Sequence, residues 1–372
     1  AHEKVTNHDV KAIEYYLKDH IKVLAESEPL WNKVIEYIHF GLTSQDINNI
    51  AIPLLLKDSM KVYHQSLEGL ISDLKLLSQE TFDVAMLART HGQPATPTTV
   101  GKELYVWVYR LQKQIELLNG VPMSGKFGGA TGQFNAHAIA FPSVDWVSFA
   151  DQFIESLGLT RELWTTQISN YDNLAALFDG MSRINTILMD SARDFWQYIS
   201  LEYFGQRVIA NEVGSSAMPH KVNPIDFENA EGNLGMANAI FAHLSSKLPV
   251  SRLQRDLTDS TVLRNVGVPV AHSLLAFQSF KRGLSKLVLR PENIAFDLQE
   301  NFVIISEAIQ TILRRISYPK PYEAVKGLTR TGGRVTPETL ANFVNELDVP
   351  EDIKTELRSL TPQRFLGQFP PH

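Results

Sequence analysis

The sequence contains no cysteine. That excludes disulfides, thiolate metal sites and a cysteine nucleophile, and it fits the reducing cytoplasm we expect for this chain. Nowhere do about 18 apolar residues run together, and no signal-peptide pattern opens the chain, so the sequence reads as a soluble protein with no membrane partner. Internal repeats, low-complexity tracts and convincing period-two alternation are missing too, which argues against a strand-rich fold. Positive charge is scarce: 35 Lys and Arg stand against 41 Asp and Glu. No nucleic-acid surface is expected, and any anion site must be local. No two histidines share metal-ligand spacing with a carboxylate and no HExxH word occurs, so no metal is expected.

What the chain has is helical periodicity. Its 372 residues, 44% of them hydrophobic, suffice for a large core and about two or three domains. Residues 8–40 read as two short helices around Glu28-Pro29, with Val10, Ile13, Tyr16 and Leu17 at helical spacing. Thr43 and Asp46 then make a capping-box-like start for a long helix to about residue 80, bent at Pro53. Arg89 to Pro97 interrupts the pattern; Thr96 caps the next helix, which runs to about Leu118. After a glycine-rich loop from Gly120 to Gln133, helices are expected over 143–157, 172–203, 225–248 and 258–287, with shorter pieces to residue 360. Leu174, Leu177, Phe178, Met181, Ile184, Ile187 and Leu188 have the spacing of a buried bundle helix. The expected fold is all-α: a long central helical bundle over 41–289, between smaller helical domains at 1–40 and 290–372. Long helices apolar on more than one face point to a homo-oligomer.

The most informative stretch is Gly214-Ser215-Ser216-Ala217-Met218-Pro219-His220-Lys221-Val222-Asn223-Pro224, followed by Ile225-Asp226-Phe227-Glu228. Asn223 is a good N-cap, Pro224 suits the first helical position, and Asp226 and Glu228 fall in the first turns. Unpaired N–H groups at a helix start, two hydroxyls and an ammonium make an anion site. With a carboxylate held there, a nearby serine can act as base on the adjacent carbon. The plainer alternative is a Ser/Gly loop capping a helix. In Thr90-His91-Gly92-Gln93, His91 has the side chain best suited to delivering a proton near neutral pH; a core histidine bonded to a carbonyl is the alternative. Ser260 and Arg264 lie one helical turn apart in Ser251–Asn265 and could grip a phosphate or carboxylate, or simply form a solvated helix end. Asn7-His8-Asp9 and Thr43-Ser44 with His39 read, by themselves, as caps and surface groups. Gly120 to Lys126 imitates the start of a P-loop, but Phe127 stands where Ser or Thr must ligate magnesium, so nucleoside triphosphate binding is rejected. His137 lies close to the glycine-rich loop, but the word around His91 fits an acid better.

The eleven residues Gly214–Pro224 resemble the signature of the fumarase/aspartase superfamily of lyases, and the flanking words resemble its adenylosuccinate lyase family of bacterial type. The resemblance runs from Thr6 to about Leu366. It implies β-elimination of fumarate from a succinylated purine nucleotide, with no cofactor, in a homotetramer whose active sites are shared between subunits. By the same resemblance Ser215 is the base, His91 the acid, Glu228 its orienting partner, and Lys221 and Asn223 stabilise the developing dianion. Substrate contacts implied are Asn7, His8, Asp9, His39, Thr43, Ser44, Thr90, Gln167, Ser216, Met218, Lys221, Asn223, Asn229, Arg255, Ser260, Thr261 and Arg264. Thr43 and Ser44 would hold a carboxylate, and Arg255, Ser260 and Arg264 the nucleotide phosphate. The family usually carries an Arg-Tyr contact near its start, upstream of where this chain begins, so a site built from these residues alone is expected to lack it. The glycines from Gly125 to Gly132 would allow close backbone approach near the site. Sister lyases acting on argininosuccinate, aspartate or malate would share the Ser215 loop but have no use for the phosphate grip. A non-enzymatic relative would be expected to have lost Ser215, His91 or Lys221, and all three are present.

Overall fold

In the computed structural model, which describes residues 1–209, 218, 221–329 and 335–370, regular structure is almost entirely helical. Three short helices come first, α1 (His2–Thr6), α2 (Asp9–Ala25) and α3 (Trp31–Val34). The covered face of α2 runs through Val10 and Glu14, whose carboxylate is paired with Lys11 at 2.8 Å and Lys18 at 3.3 Å. Ile13, Tyr16 and Leu17, expected in a core stripe, are instead exposed. The long α4 (Ser44–Glu80) follows, with Pro53 inside it as expected.

Between α4 and α5 (Val100–Asn119) the chain folds back in two small antiparallel pairs. β1 (Ala85–Met86) pairs with β4 (Thr98–Thr99), and β2 (Arg89–Thr90) with β3 (Gln93–Pro94). The helix therefore does not restart at Thr96-Pro97. Thr98 and Thr99 are committed to the pairing, and Thr99 Oγ1 accepts the Lys102 N–H at 3.2 Å as the cap of α5. β5 (Ser124–Gly125), α6 (Asn135–Ala140), α7 (Trp146–Ser156) and β6 (Thr160–Arg161) come next, β5 and β6 pairing in parallel. On α8 (Asp172–Ser200) all seven expected core positions, Leu174 to Leu188, are buried. β7 (Phe204–Gln206) precedes α9 (Ile225–Lys247), where the Pro224 carbonyl accepts the first bonds, from the Phe227 and Glu228 N–H groups. Pro224 thus sits one place earlier than its expected first helical position.

The single helix expected over 258–287 is two: α10 (Thr258–Leu263) and α11 (Gly267–Lys286). Asn265 turns its amide onto the Thr261 carbonyl at 3.1 Å, and Pro269 lacks the N–H that an interior position would need, so the helix must end and restart. β8 (Leu287–Leu289) pairs with β7, and α12 (Pro291–Glu300), α13 (Ser306–Arg315), α14 (Pro321–Thr329), α15 (Pro337–Glu346) and α16 (Glu351–Arg358) complete the chain. Among the described residues no helix is long and apolar enough to cross a membrane.

The chain divides into two compact units, Ala1–Leu67 with Gln112–Met189 and Gly232–Phe277, and Glu68–Leu111 with Asp190–Glu231 and Gln278–His372. In the first, Phe178 stacks on Phe241 at 5.7 Å between ring centroids and Tyr63 meets Phe277 edge-on at 5.2 Å. A second cluster of Ile50, Phe127, Phe134, Ala150, Ile154 and Leu159 packs beneath the glycine-rich loop. In the second unit Phe195 stacks on Phe227 at 5.1 Å, and the last helices bury Ile305, Ile309, Leu313, Leu340, Val344 and Leu357 together. Each fully buried side chain of this kind contributes about 1.5–3 kcal/mol.

The start of α4 is fixed by a buried charge. Asp46 is fully buried; its Oδ2 accepts the Thr43 N–H at 2.8 Å, while Oδ1 accepts Lys126 Nζ at 2.7 Å and the Gly128 and Gly129 N–H groups at 2.9 and 3.2 Å. Lys126, also fully buried, donates to the Gly129 carbonyl at 2.7 Å as well, so it has no face toward a phosphate, in keeping with rejection of the P-loop reading. Burial pushes its ammonium below the ordinary lysine range, against the pull of Asp46. His137 lies alongside, 2% exposed, its ring over Gly41 so closely that a Cβ there would come within 2.7 Å.

Two predictions test this node. Removing one partner of a buried pair strands the other charge, so Lys126→Met should lower the unfolding free energy by about 3–5 kcal/mol in urea titration; a loss under about 1 kcal/mol would mean the pair does not hold the loop. Burial also lowers the His137 pKa, the Lys126 charge adding to the effect while the Asp46 charge and the Phe40 carbonyl oppose it. Between the lowered folded value and the unfolded value of about 6.5, the unfolded chain binds more protons, so this contribution is complete above about pH 6.5 and is lost as pH falls. His137→Gln should accordingly flatten stability between about pH 7 and 5, by at most one proton or about 1.4 kcal/mol per pH unit. Identical slopes in the two proteins would remove His137 from the account.

Candidate active site

The candidate residues fall into two sets, one in each unit. In the first unit, Thr43 and Ser44 stand at the opening of α4, half-buried, the Thr43 backbone held by Asp46. The same carboxylate draws in the glycine-rich loop, where the approach of backbone to backbone is close. A Cβ on Gly128 would lie 2.9 Å from Gly132, and one on Gly132, at φ +77°, would lie 2.5 Å from the Thr165 carbonyl. The expected close approach at these glycines is thus present. Gln167, two residues beyond Thr165, donates its amide to the Ala130 carbonyl at 3.2 Å, so it too is placed by this loop.

His39 precedes α4 in a left-handed conformation, φ +64°, and its carbonyl accepts the Leu42 N–H. Asn7, also left-handed at φ +47°, ends α1, and His8 caps α2 by accepting the Lys11 N–H on Nδ1 at 3.3 Å. Asp9 accepts the N–H of Val10 at 2.8 Å. All three are exposed, and the observed bonds of Asn7 and His8 are those of caps. Arg255 precedes α10, its side chain largely covered and its Nη2 3.7 Å from Asp259 Oδ1. Ser260 and Thr261 lie on α10 and Arg264 follows it with helical backbone, so Ser260 and Arg264 keep the expected one-turn spacing.

In the second unit, β2 and β3 form a hairpin whose two-residue tip is His91–Gly92, with φ +54° and +74°. Positive φ at both positions defines the turn that matches strand twist, and histidine is among the residues that tolerate it. Thr90, His91 and Gln93 are thereby exposed at the tip. The hairpin's base is tied down: Arg89 Nη2 donates to Asp297 Oδ2 at 2.6 Å, the same oxygen accepts the Tyr203 hydroxyl, and Thr96 donates to Glu307.

Lys221 and Asn223 lead into α9, the Lys221 N–H donating to the Met218 carbonyl at 3.0 Å. Asp226 in the first turn is buried and paired with Lys286 at 2.8 Å and Arg282 at 3.3 Å, which fixes the helix start. Glu228 points elsewhere: its Oε1 accepts the Trp196 indole N–H at 3.0 Å, and among the described residues no hydrogen bond joins it to His91. Asn229 Oδ1 accepts the Ser279 hydroxyl at 2.6 Å. Ser215 and Ser216 lie outside the described residues.

Sequence reasoning assigned no site role to Asp46, Lys126, Asp297 or Trp196. Asp46 was legible as a cap; Lys126 pairs with it from 80 residues away, a separation that local patterns do not span.

Known proteins resemble this chain over nearly its whole length. A family model described as Lyase matches residues 3–239, and one described as Adenylosuccinate lyase C-terminal matches residues 251–366. The adenylosuccinate lyase of Dictyostelium discoideum is 55% identical over 376 residues, covering 99% of this chain and 80% of that protein. That of Escherichia coli K12 is 49% identical over 367 residues, covering 98% of this chain and 79% of the relative. Among solved structures, 3-carboxy-cis,cis-muconate lactonizing enzyme from Pseudomonas putida aligns with a TM-score of 0.76 over 98% of this chain and 81% of its own. At 20% identity that likeness speaks to the fold alone.

Proposed function

The chain belongs to the adenylosuccinate lyases of the fumarase/aspartase superfamily, and we propose that it releases fumarate from adenylosuccinate, giving AMP, and from succinyl-aminoimidazole-carboxamide ribotide in purine synthesis. The observation that carries this is the near full-length identity to curated adenylosuccinate lyases. The match of residues 251–366 to the C-terminal model of that family disfavours the sister lyases.

In the proposed reaction Ser215, as alkoxide, removes the proton beside a succinyl carboxylate. That proton is weakly acidic, so the dianion must be met by fixed donors, for which Lys221, Asn223 and N–H groups of the loop are available. His91 protonates the departing nitrogen, and Glu228 orients it. Because serine is a poor base in water, the site must exclude solvent before Ser215 can act. Thr43 and Ser44 take a carboxylate, Arg255, Ser260 and Arg264 the phosphate, and His8, Asp9 and Gln167 further substrate atoms.

We place the enzyme in the cytoplasm as a homotetramer with shared active sites, its central bundle at 41–289 flanked by the smaller segments. Several features support sharing. His91 is exposed on a hairpin tip, Glu228 is engaged with Trp196 rather than with it, and apolar side chains such as Trp164 and Leu253 stand 89% and 97% exposed beside the words holding Gln167 and Arg255.

The test is fumarate release by the purified protein, with argininosuccinate, malate and aspartate as parallel substrates. Release from the succinylated purine alone is expected, and Ser215→Ala should lower turnover by about 10²–10⁴-fold, the usual worth of a positioned general base, while AMP still binds. Turnover of Ser215→Ala within about tenfold of wild type would remove Ser215 as the base.

A further inference from the structure

Behind Arg255 lies a chain of buried hydrogen bonds whose direction is set at one end by the backbone. Asn49, on the second turn of α4, accepts the Ser169 N–H on Oδ1 at 2.8 Å. An amide oxygen that accepts there leaves its Nδ2 as the donor toward Tyr171, and the Asn49 Nδ2 to Tyr171 hydroxyl distance is 2.8 Å. The hydroxyl has a single proton, which must then go to Asp259 Oδ2 at 2.9 Å. Asp259, 2% exposed, is thus required as an acceptor. Burial, then the Asp259 charge, push the Tyr171 hydroxyl far above the ordinary tyrosine range, so it stays protonated.

The other oxygen of Asp259 is left with no hydrogen-bond partner, as is the buried Arg255 Nε. Asp259 Oδ1 faces Arg255 Nη2 at 3.7 Å, close enough for charge attraction and too long for a hydrogen bond. A pair built only for stability would close that gap, because unmade bonds in a buried site cost most. Held at this distance, the guanidinium keeps its position while its N–H fork remains available to an outside oxyanion, which arginine binds two bonds at a time.

We propose that Asn49, Tyr171 and Asp259 are positioning residues that aim Arg255 at the phosphate of the substrate, a role that rests on the reading of the chain as an adenylosuccinate lyase. Because Asn49 follows Ser44 on α4, whose start Thr43 precedes, the groups assigned to the carboxylate and to the phosphate are both anchored at this helix.

The experiment compares adenylosuccinate with its dephosphorylated nucleoside, succinyladenosine, in wild type, Tyr171→Phe and Asp259→Asn. For the phosphorylated substrate both variants should raise KM about tenfold and leave kcat within about twofold. On succinyladenosine their kcat/KM should match wild type, since that substrate has no phosphate for Arg255 to hold. An equal loss on both substrates would reduce the chain to a structural role and overturn the proposal, as would unchanged kinetics on both. Should Tyr171→Phe fail to fold, Asp259→Asn, which keeps the shape of the side chain, decides alone. A wild-type enzyme silent on adenylosuccinate would overturn the functional reading and the relay together, an outcome distinct from active wild type with unaltered variants.

Discussion

A carboxylate with no access to water governs the geometry of the first unit. Asp46 satisfies both its oxygens within the protein, and its donors come from three places: the residue that starts its own helix, the ammonium of Lys126, and two backbone N–H groups of the glycine-rich loop. Inside a protein such bonds are strong when complete and costly when broken. The start of α4 and the loop therefore cannot shift independently, because any relative movement would strand a buried charge. Thr43 and Ser44 ride on one side of this lock and Gln167, through Ala130, on the other.

The second unit solves a different problem. A group that delivers a proton must reach the substrate, and His91 is presented on a two-residue turn rather than held in a core. Histidine is among the residues that tolerate its positive φ, and glycine takes the second. Precision comes from below, where Arg89 is tied to Asp297 on α12 and Thr96 to Glu307 on α13. The proposed acid is thus exposed on a hairpin anchored at its base, and the proposed anion-holding groups are set by buried polar bonds.

The sequence showed most where the determinant is local. The apolar spacing of α8 identified a buried helix because a helix repeats its own face every few residues. Thr43 and Asp46 announced α4 three residues apart. Reading failed where distant pairing overrode local signals. Thr96-Pro97 looks like a helix start, yet Thr98 and Thr99 were claimed by Ala85 and Met86. The run from 258 to 287 looks continuous, yet the amide of Asn265 and the missing N–H of Pro269 divide it. Ile13, Tyr16 and Leu17 obey helical spacing but do not face the core of their own chain. In the candidate site, the words at His91, Thr43-Ser44 and Arg255 were legible as motifs. Their supports, Asp297, Lys126 and Asp259, were not, because each acts through a contact that only the fold creates.

Unsatisfied polar atoms in the first unit carry a further consequence. Arg255 Nε, Asp259 Oδ1 and His137 Nδ1 are all buried and unpartnered, and each such atom costs about 1–3 kcal/mol. They are not alone in this: Gln45 Oε1, Tyr63 Oη and Arg161 Nε in the same unit are buried without a partner too. Two of the first three belong to the Arg255–Asp259 pair, beside a word with the residue types for gripping a phosphate. Closing that pair would stabilise the free protein and spend the donors a ligand would use. Leaving it open costs stability but keeps guanidinium N–H groups for an anion, and this is how a fold of marginal stability keeps binding capacity in reserve.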